Sequence, residues 1–383
     1  YESAEGKAAV KLSEANPRRR PKPLRNPVQA IDLHRLTGGW SDAATAEHFV
    51  AADPASPGPA RRFYQTLYRQ GGRLDDAAQC IPLPIPAPTR TRHDGDAIKF
   101  GLDTGPDPRR GDRLEIESVI LPYHGSTHRP RHTLCVSSQV GCAMGCTFCE
   151  TARMGLRRNL RPAEIVWQWF VARHHFRRDI RNIVFMGMGE PMDNLDHVLA
   201  AIEILTDHHG PAIAPARITV STVGRIRGIE RYTRFARREG FRSLKLAVSV
   251  NAPDDAIRSE IMPINRAEPL ADLRRALDDW PGRLLIEYVL IPGVNHHPCH
   301  AETLADYLRG LDCTVNVIPY NPRRDSPWPA PTEHDVRAFT EALHAAGCFV
   351  TRRRTIGRDL MAACGQLGPE HLRRRRAATP AHP

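Results

Sequence analysis

No stretch of this 383-residue chain reaches the roughly 18 uncharged apolar residues that a membrane-spanning helix needs, which excludes that class of membrane protein. The first 26 residues lack the apolar core of a secretory signal and are expected to form a flexible basic leader. Nine cysteines, an odd number scattered along a long chain, do not make the paired framework of a small secreted domain. A soluble protein of the reducing cytoplasm is therefore expected. Internal repeats are also lacking. What is present is 41% hydrophobic residues, enough at this length for a sizeable core, and a net charge of +11. Arginine recurs in "PRRR" (17–20), "TRRRT" (351–355) and "HLRRRR" (371–376). Such an excess favours a polyanionic partner, nucleic acid first, with a solvated basic surface as the alternative.

Residues 27–112 read as a small helical accessory domain and linker. Weak helical patterns occur in "DAATAEHFVAA" and "ARRFYQTLYRQ", and "IPLPIPAPTRTR" (81–92) is a proline-rich arm. "AIKFGLD" and "DRLEIESVILP" can form a hairpin. Over residues 113–368 short β-branched or apolar runs alternate with helix-like stretches. The runs are "HTLCVSS", "NIVFMG", "RITVST", "LKLAVSV", "LLIEYVL" and "TVNVIP". The helix-like stretches include "RPAEIVWQWFVARHHF", "NLDHVLAAIEILTDH", "CHAETLADYLRGL" and "TEHDVRAFTEALHAAG". This alternation predicts a parallel α/β sheet, either open and doubly wound or an incomplete barrel, followed by a basic tail at 369–383.

Unusual residues fall at the C-terminal ends of the predicted strands, where parallel α/β folds build their sites. "GMGEP" (187–191) follows the second, "STVG" (221–224) ends the third, "SVNAP" (249–253) the fourth, and "IPYNP" (318–322) the sixth. After the first comes "VGCAMGCTFCETARMG", with Cys142, Cys146 and Cys149 spaced C-x3-C-x2-C. Structural zinc usually takes four protein ligands in two pairs, and no fourth cysteine lies nearby. His132 could complete a zinc site, or the three could be ordinary buried cysteines. Three thiolates could instead hold three irons of a 4Fe-4S cluster, leaving the fourth open to a ligand from substrate or cofactor.

The segments "CVSSQVGCAMGCTFC", "RRNL", "FMGMGEPMDN", "TVSTVG", "LAVSVNAP", "IMPIN", "IPYNP" and "MAACGQLG" occur here in one order. In that order they resemble the RlmN/Cfr family of radical-SAM rRNA adenine methyltransferases. The resemblance covers roughly residues 113–368 and implies an incomplete (β/α)6 radical-SAM barrel. It also implies a 4Fe-4S cluster on Cys142, Cys146 and Cys149, with S-adenosylmethionine (SAM) on the open iron. Ring carbons of adenine are poor nucleophiles, so a radical route replaces polar displacement. In the family one SAM methylates a cysteine, a second yields a radical that takes hydrogen from the S-methyl group, and the methylene radical adds to the ring.

By this resemblance Cys364 carries the methyl group and Cys135 resolves the protein–RNA thioether through a disulfide with Cys364. Read without it, both are small buried hydrophobes. Gly189 and Glu190 would meet the SAM ammonium, with Ser221, Ser249, Val250, Asn251 and Asn321 at further cofactor positions; turn chemistry explains Ser and Asn equally well one at a time. Glu117 matches the base that removes the ring proton, against a surface strand carboxylate as the plain alternative. The family has Ser-Leu-His where this chain has Ser249-Val250-Asn251. The implied substrate is 23S rRNA methylated at carbon 2 in the peptidyl-transferase centre, with a tRNA adenosine as a second target and carbon 8 as the nearest variant. A flavodoxin or ferredoxin as electron donor and a monomeric state are also expected. A radical-SAM enzyme on a non-RNA substrate and a non-catalytic RNA-binding paralog are the alternatives from other classes. The run Arg352 to Arg354, shortly before Cys364, is expected to contact phosphate.

Overall fold

The computed structural model describes residues 68–69, 87–107, 109–123, 131–208, 210–323, 325–353 and 365–372. The expected leader, nearly all of the helical accessory region, Arg354, Cys364 and the arginines of the tail lie outside these residues. Ten strands make one sheet whose spatial order is the chain order. They are β1 Arg90–Asp94, β2 Ala97–Pro106, β3 Arg113–Tyr123, β4 Arg131–Cys135, β5 Ile180–Phe185, β6 Ile218–Thr222, β7 Lys245–Ser249, β8 Leu284–Leu290, β9 Cys313–Pro319 and β10 Val350–Arg352. β1 to β4 pair antiparallel, and the β2–β3 hairpin is the one expected from the sequence. From β4 to β10 every pairing is parallel.

The six predicted strands are β4 to β9. β10 adds a seventh parallel strand that the apolar runs did not announce. Its three residues, Val-Thr-Arg, are too few to show a period, and pairing to β9 through Val315 and Val350 creates it. The sheet is curled. Arg353 Nη1, one residue past β10, lies 3.7 Å from the sulfur of Met186, one residue past β5. Five flat inter-strand steps would separate those ends by about 24 Å. Among the described residues β1 and β10 are its two edges, and the barrel they leave is incomplete.

Helices α1 Pro162–Phe170, α2 Leu195–Leu205, α3 Ile226–Ala236, α4 Asp255–Ile261, α5 Leu270–Asp278, α6 Pro298–Leu308 and α7 Glu333–Ala345 join the parallel strands. Proline at the first position starts α1 and α6, where its missing N–H has no partner to lose. α7 starts with a reciprocal Thr332–Asp335 capping box. α3 was not among the expected helices because arginines interrupt its run. Its buried stripe of Ile229, Tyr232, Phe235 and Ala236 shows the helical period only once the face is known. The buried Tyr68 ring packs on Trp169 and Phe170 of α1, and its carbonyl lies 2.9 Å from His174 Nε2.

Candidate active site

The chain leaves β4 at Cys135 and runs over the C-terminal rim of the barrel, carrying Cys142, Cys146 and Cys149. Gly145, at φ +72°, turns it between the first two, in a region that side chains other than glycine rarely enter. The three cysteines line a cavity that, mouth and open solvent included, encloses about 840 Å³. Burial raises the pKa of each thiol, and for Cys142 and Cys146 the neighbouring thiols add to it. Among the described residues no three His, Cys, Asp or Glu side chains are grouped as ligands of one ion. Zinc needs its sulfurs all about 2.3 Å from one point. A cluster puts each thiolate on its own iron, so three cysteines that line one cavity without being grouped around a single ion suit it. His132 sits near the start of β4, the opposite end of that strand from the loop, and cannot complete the set.

The loops after the next strands supply further residues of the lining. Gly189, at φ +99°, passes so near Gln139 that a Cβ would lie 2.6 Å from its side chain. The close approach lets Gln139 Oε1 accept from the Glu190 N–H at 2.8 Å. The Glu190 carboxylate, 2% exposed, then accepts from Met192 N–H at 3.0 Å and Val223 N–H at 2.9 Å, bridging the loops after β5 and β6. Ser221, Ser249 and Asn251 line the same cavity. Asn251 adopts φ +58°, a region that Asn and His enter more readily than most residues. Its Oδ1 accepts from Val289 N–H at 2.9 Å. The Val250 side chain is fully buried in the core and off the cavity wall. Asn321 is also off that wall, buried just past β9, and its Oδ1 has no hydrogen-bond partner among the described residues.

The end of the chain returns to this rim. Gly365, next in sequence to Cys364, lines the cavity, and its carbonyl accepts from Glu150 N–H at 2.6 Å. The Leu367 carbonyl accepts from Thr151 Oγ1 at 2.6 Å, and Gly368 N–H donates to Glu117 Oε2 at 2.7 Å. Glu117 lies in β3, buried, with Lys99 Nζ 2.9 Å from the same Oε2. Cys135 closes β4, buried, in register with Val119 and Val184. Cys364 itself lies outside the described residues. Arg352 is held by the Glu333 carboxylate, a side-chain pair on the outside of the barrel.

Residues 136–304, which begin where β4 ends and include the three cysteines, match the Radical SAM superfamily. A probable dual-specificity RNA methyltransferase RlmN 1 of Protochlamydia amoebophila is 44% identical over 349 residues, 90% of this chain and 92% of that protein. The dual-specificity RNA methyltransferase RlmN of Syntrophus aciditrophicus is 39% identical over 85% of this chain and 94% of its own. The chain belongs to the RlmN family of radical-SAM methyltransferases. A crystal structure of a radical SAM methyltransferase from Sphaerobacter thermophilus superposes with a TM-score of 0.73 at 38% identity, over 85% of this chain and 96% of that one.

A 4Fe-4S cluster and SAM are therefore the cofactors, and a cavity lined by three thiols and polar strand ends fits them. Two residues outside the motifs also shape the site. Arg258 of α4 is fully buried and donates to the carbonyls of Val223, Ser249 and Val250 and to Asn265 Oδ1. Asn295, also fully buried, donates to the carbonyls of Asn251 and Val289 and accepts from Ile291 N–H. A buried arginine reads in sequence as a surface charge, so nothing short of the fold reveals it. No helix among the described residues is long and apolar enough to cross a membrane.

Proposed function

We propose that the protein methylates a ring carbon of adenosine in RNA through a methyl group carried on Cys364. The target is carbon 2 of a 23S rRNA adenosine at the peptidyl-transferase centre, with a tRNA adenosine as a second substrate. The carrying observation is that Gly365, which follows Cys364, lines the same cavity as Cys142, Cys146 and Cys149. The relatives named dual-specificity RNA methyltransferase support an RNA substrate, as does the net charge of +11. Electrons come from a flavodoxin or ferredoxin, and the chain works as a cytoplasmic monomer.

When bound, the cluster and SAM supply the methyl group and the radical chemistry. The chain's own residues orient and protect. Cys142, Cys146 and Cys149 hold the cluster, and Glu190 with the Gly189 carbonyl takes the SAM ammonium. Ser221, Ser249 and Asn251 face the rest of the cofactor, and Asn321 Oδ1, without a hydrogen-bond partner among the described residues, can accept from a donor. The contacts of Glu117 with Lys99 and Gly368 both fall on Oε2, so Oε1 is the oxygen assigned to take the ring proton. Cys135 then attacks the Cys364 sulfur: the disulfide forms as the sulfur–methylene bond breaks, and the methylene carbon takes that bond's electrons and a proton to leave as the RNA methyl group.

The test is nucleoside mass spectrometry of unmodified rRNA and tRNA incubated with anaerobically reconstituted protein, SAM and reductant. The expected product is 2-methyladenosine, absent with Cys364→Ala. Appearance of 8-methyladenosine would move the reaction to the other carbon, and cleavage of SAM without either nucleoside would overturn the RNA assignment.

SAM binding should also depend on pH. Burial pushes Glu190 up to about 7, against the hydrogen bonds from Val223, Met192 and Thr222 that favour its ionised form. An ammonium needs the carboxylate, so affinity measured without RNA should rise roughly tenfold between about pH 6 and about pH 8 and then level off. Glu190→Gln should bind more weakly with a flat profile. An unchanged slope in that variant would assign the titration elsewhere.

A further inference from the structure

Glu287 occupies the middle of β8, is 4% exposed and faces the cavity. Its Oε2 accepts from Asn316 Nδ2 at 2.9 Å, across the pairing to β9. Its Oε1 is buried and has no hydrogen-bond partner among the described residues. Buried carboxyl oxygens without a donor are costly and rare, and one in a cavity wall implies a donor that comes with a ligand. The strand register shows which described residues lie beside it. Ser249, Glu287, Asn316 and Thr351 form one row across β7 to β10, and residues at one level on adjacent strands face the same side. Asn316 uses Nδ2 on Oε2, while its Oδ1 accepts from the Thr351 hydroxyl at 3.2 Å. The row therefore runs, hydrogen-bonded from Glu287 to Thr351, out to the open sheet edge. Burial raises the Glu287 pKa, and the charge of Arg353 and the Asn316 hydrogen bond oppose the rise. Val289 and Ile318, on the same cavity wall, offer apolar surface to a purine ring.

We propose that Glu287 is a ligand-contacting residue of this site, with Oε1 accepting a hydrogen bond from an adenosine, through a ribose hydroxyl or the exocyclic amino group. Both SAM and the target nucleotide are adenosines, and the second source rests on the RNA-methylation reading above. Glutamine is the informative replacement. Its carbonyl can keep the Asn316 contact, which turns the Oε1 position from acceptor into donor, facing the ligand's own donor.

Cluster-loaded wild type and Glu287→Gln would be compared for SAM affinity by equilibrium dialysis without RNA, and for affinity to an RNA fragment carrying the target adenosine. One of the two affinities is expected to fall about tenfold to a hundredfold, with cluster absorption and unfolding temperature unchanged. A fall for SAM assigns the cofactor's adenosine, and a fall for RNA alone assigns the target's. Both affinities unchanged within about twofold would overturn the proposal. Ligand-side deletion needs no stable variant: 2′-deoxy, 3′-deoxy or N6-dimethyl forms of the affected adenosine should bind wild type more weakly. At least one of them should lose nothing further with Glu287→Gln. If none of these forms weakens binding to wild type, the proposal also falls. Failure of the RNA reading looks different: SAM binds, the cofactor arm still reports on Glu287, and no methylated nucleoside appears.

Discussion

Cys146→Ala is expected to lose the iron–sulfur cluster and with it all detectable methyl transfer, while the protein stays folded. The thiol is buried at the rim among Met144, Ala252, Ile261, Met262, Ile291 and Tyr320, a small apolar group separate from the main core. Deleting one sulfur there leaves a void smaller than a methylene pair, costing about 1 kcal/mol. The chemical loss is far larger. Two remaining thiols cannot hold a cluster that already takes a single ligand from each iron, and its fourth iron is reserved for SAM. Iron and sulfide content and visible absorption should fall to background, with circular dichroism unchanged and melting within a few degrees of wild type. Cys299→Ala, at an exposed position on α6, serves as the control and should lose nothing. Full iron content in the Cys146 variant would refute the assignment of the loop.

Arg258→Met should destabilise the protein by about 3–5 kcal/mol, although the methionine fills much of the volume. Its guanidinium satisfies the Val223, Ser249 and Val250 carbonyls together with Asn265 Oδ1. Each buried acceptor left unpaired costs about 1–3 kcal/mol, less whatever water entering the site recovers. Those carbonyls belong to the loops that carry Ser221, Ser249 and Asn251, so SAM affinity should weaken along with stability. Arg258→Lys should rescue little. One ammonium cannot reach acceptors spread around a planar fork. Urea unfolding measures the first effect through the midpoint at constant slope, and equilibrium dialysis the second. A midpoint unchanged in the methionine variant would remove Arg258 from the frame of the site.

The paired Arg352 and Glu333 bear on how RNA is gripped. The arginine run at 352–354 invites a reading as a phosphate-binding patch. Yet Arg352 already has its carboxylate, and a phosphate would have to displace it.

Six strands, the hairpin before them and the rim position of the cysteines were legible in the sequence. Strands buried on both faces must be nearly all apolar, and the loops at their C-terminal ends stand out against them by composition. The C-x3-C-x2-C loop and its flanking segments named the family for a related reason: a cluster and a bound cofactor constrain consecutive residues, and that constraint survives as a motif. Tertiary structure decided what depends on distant pairs. It made β10 a strand by giving Val350 a partner in Val315, and it set Gly365 beside the turn at Glu150. It also put the buried charge of Arg258 under the ends of two strands and left Glu287 Oε1 facing the cavity. A side chain's type is written locally, whereas its burial and its partner are set by chain segments far away in sequence.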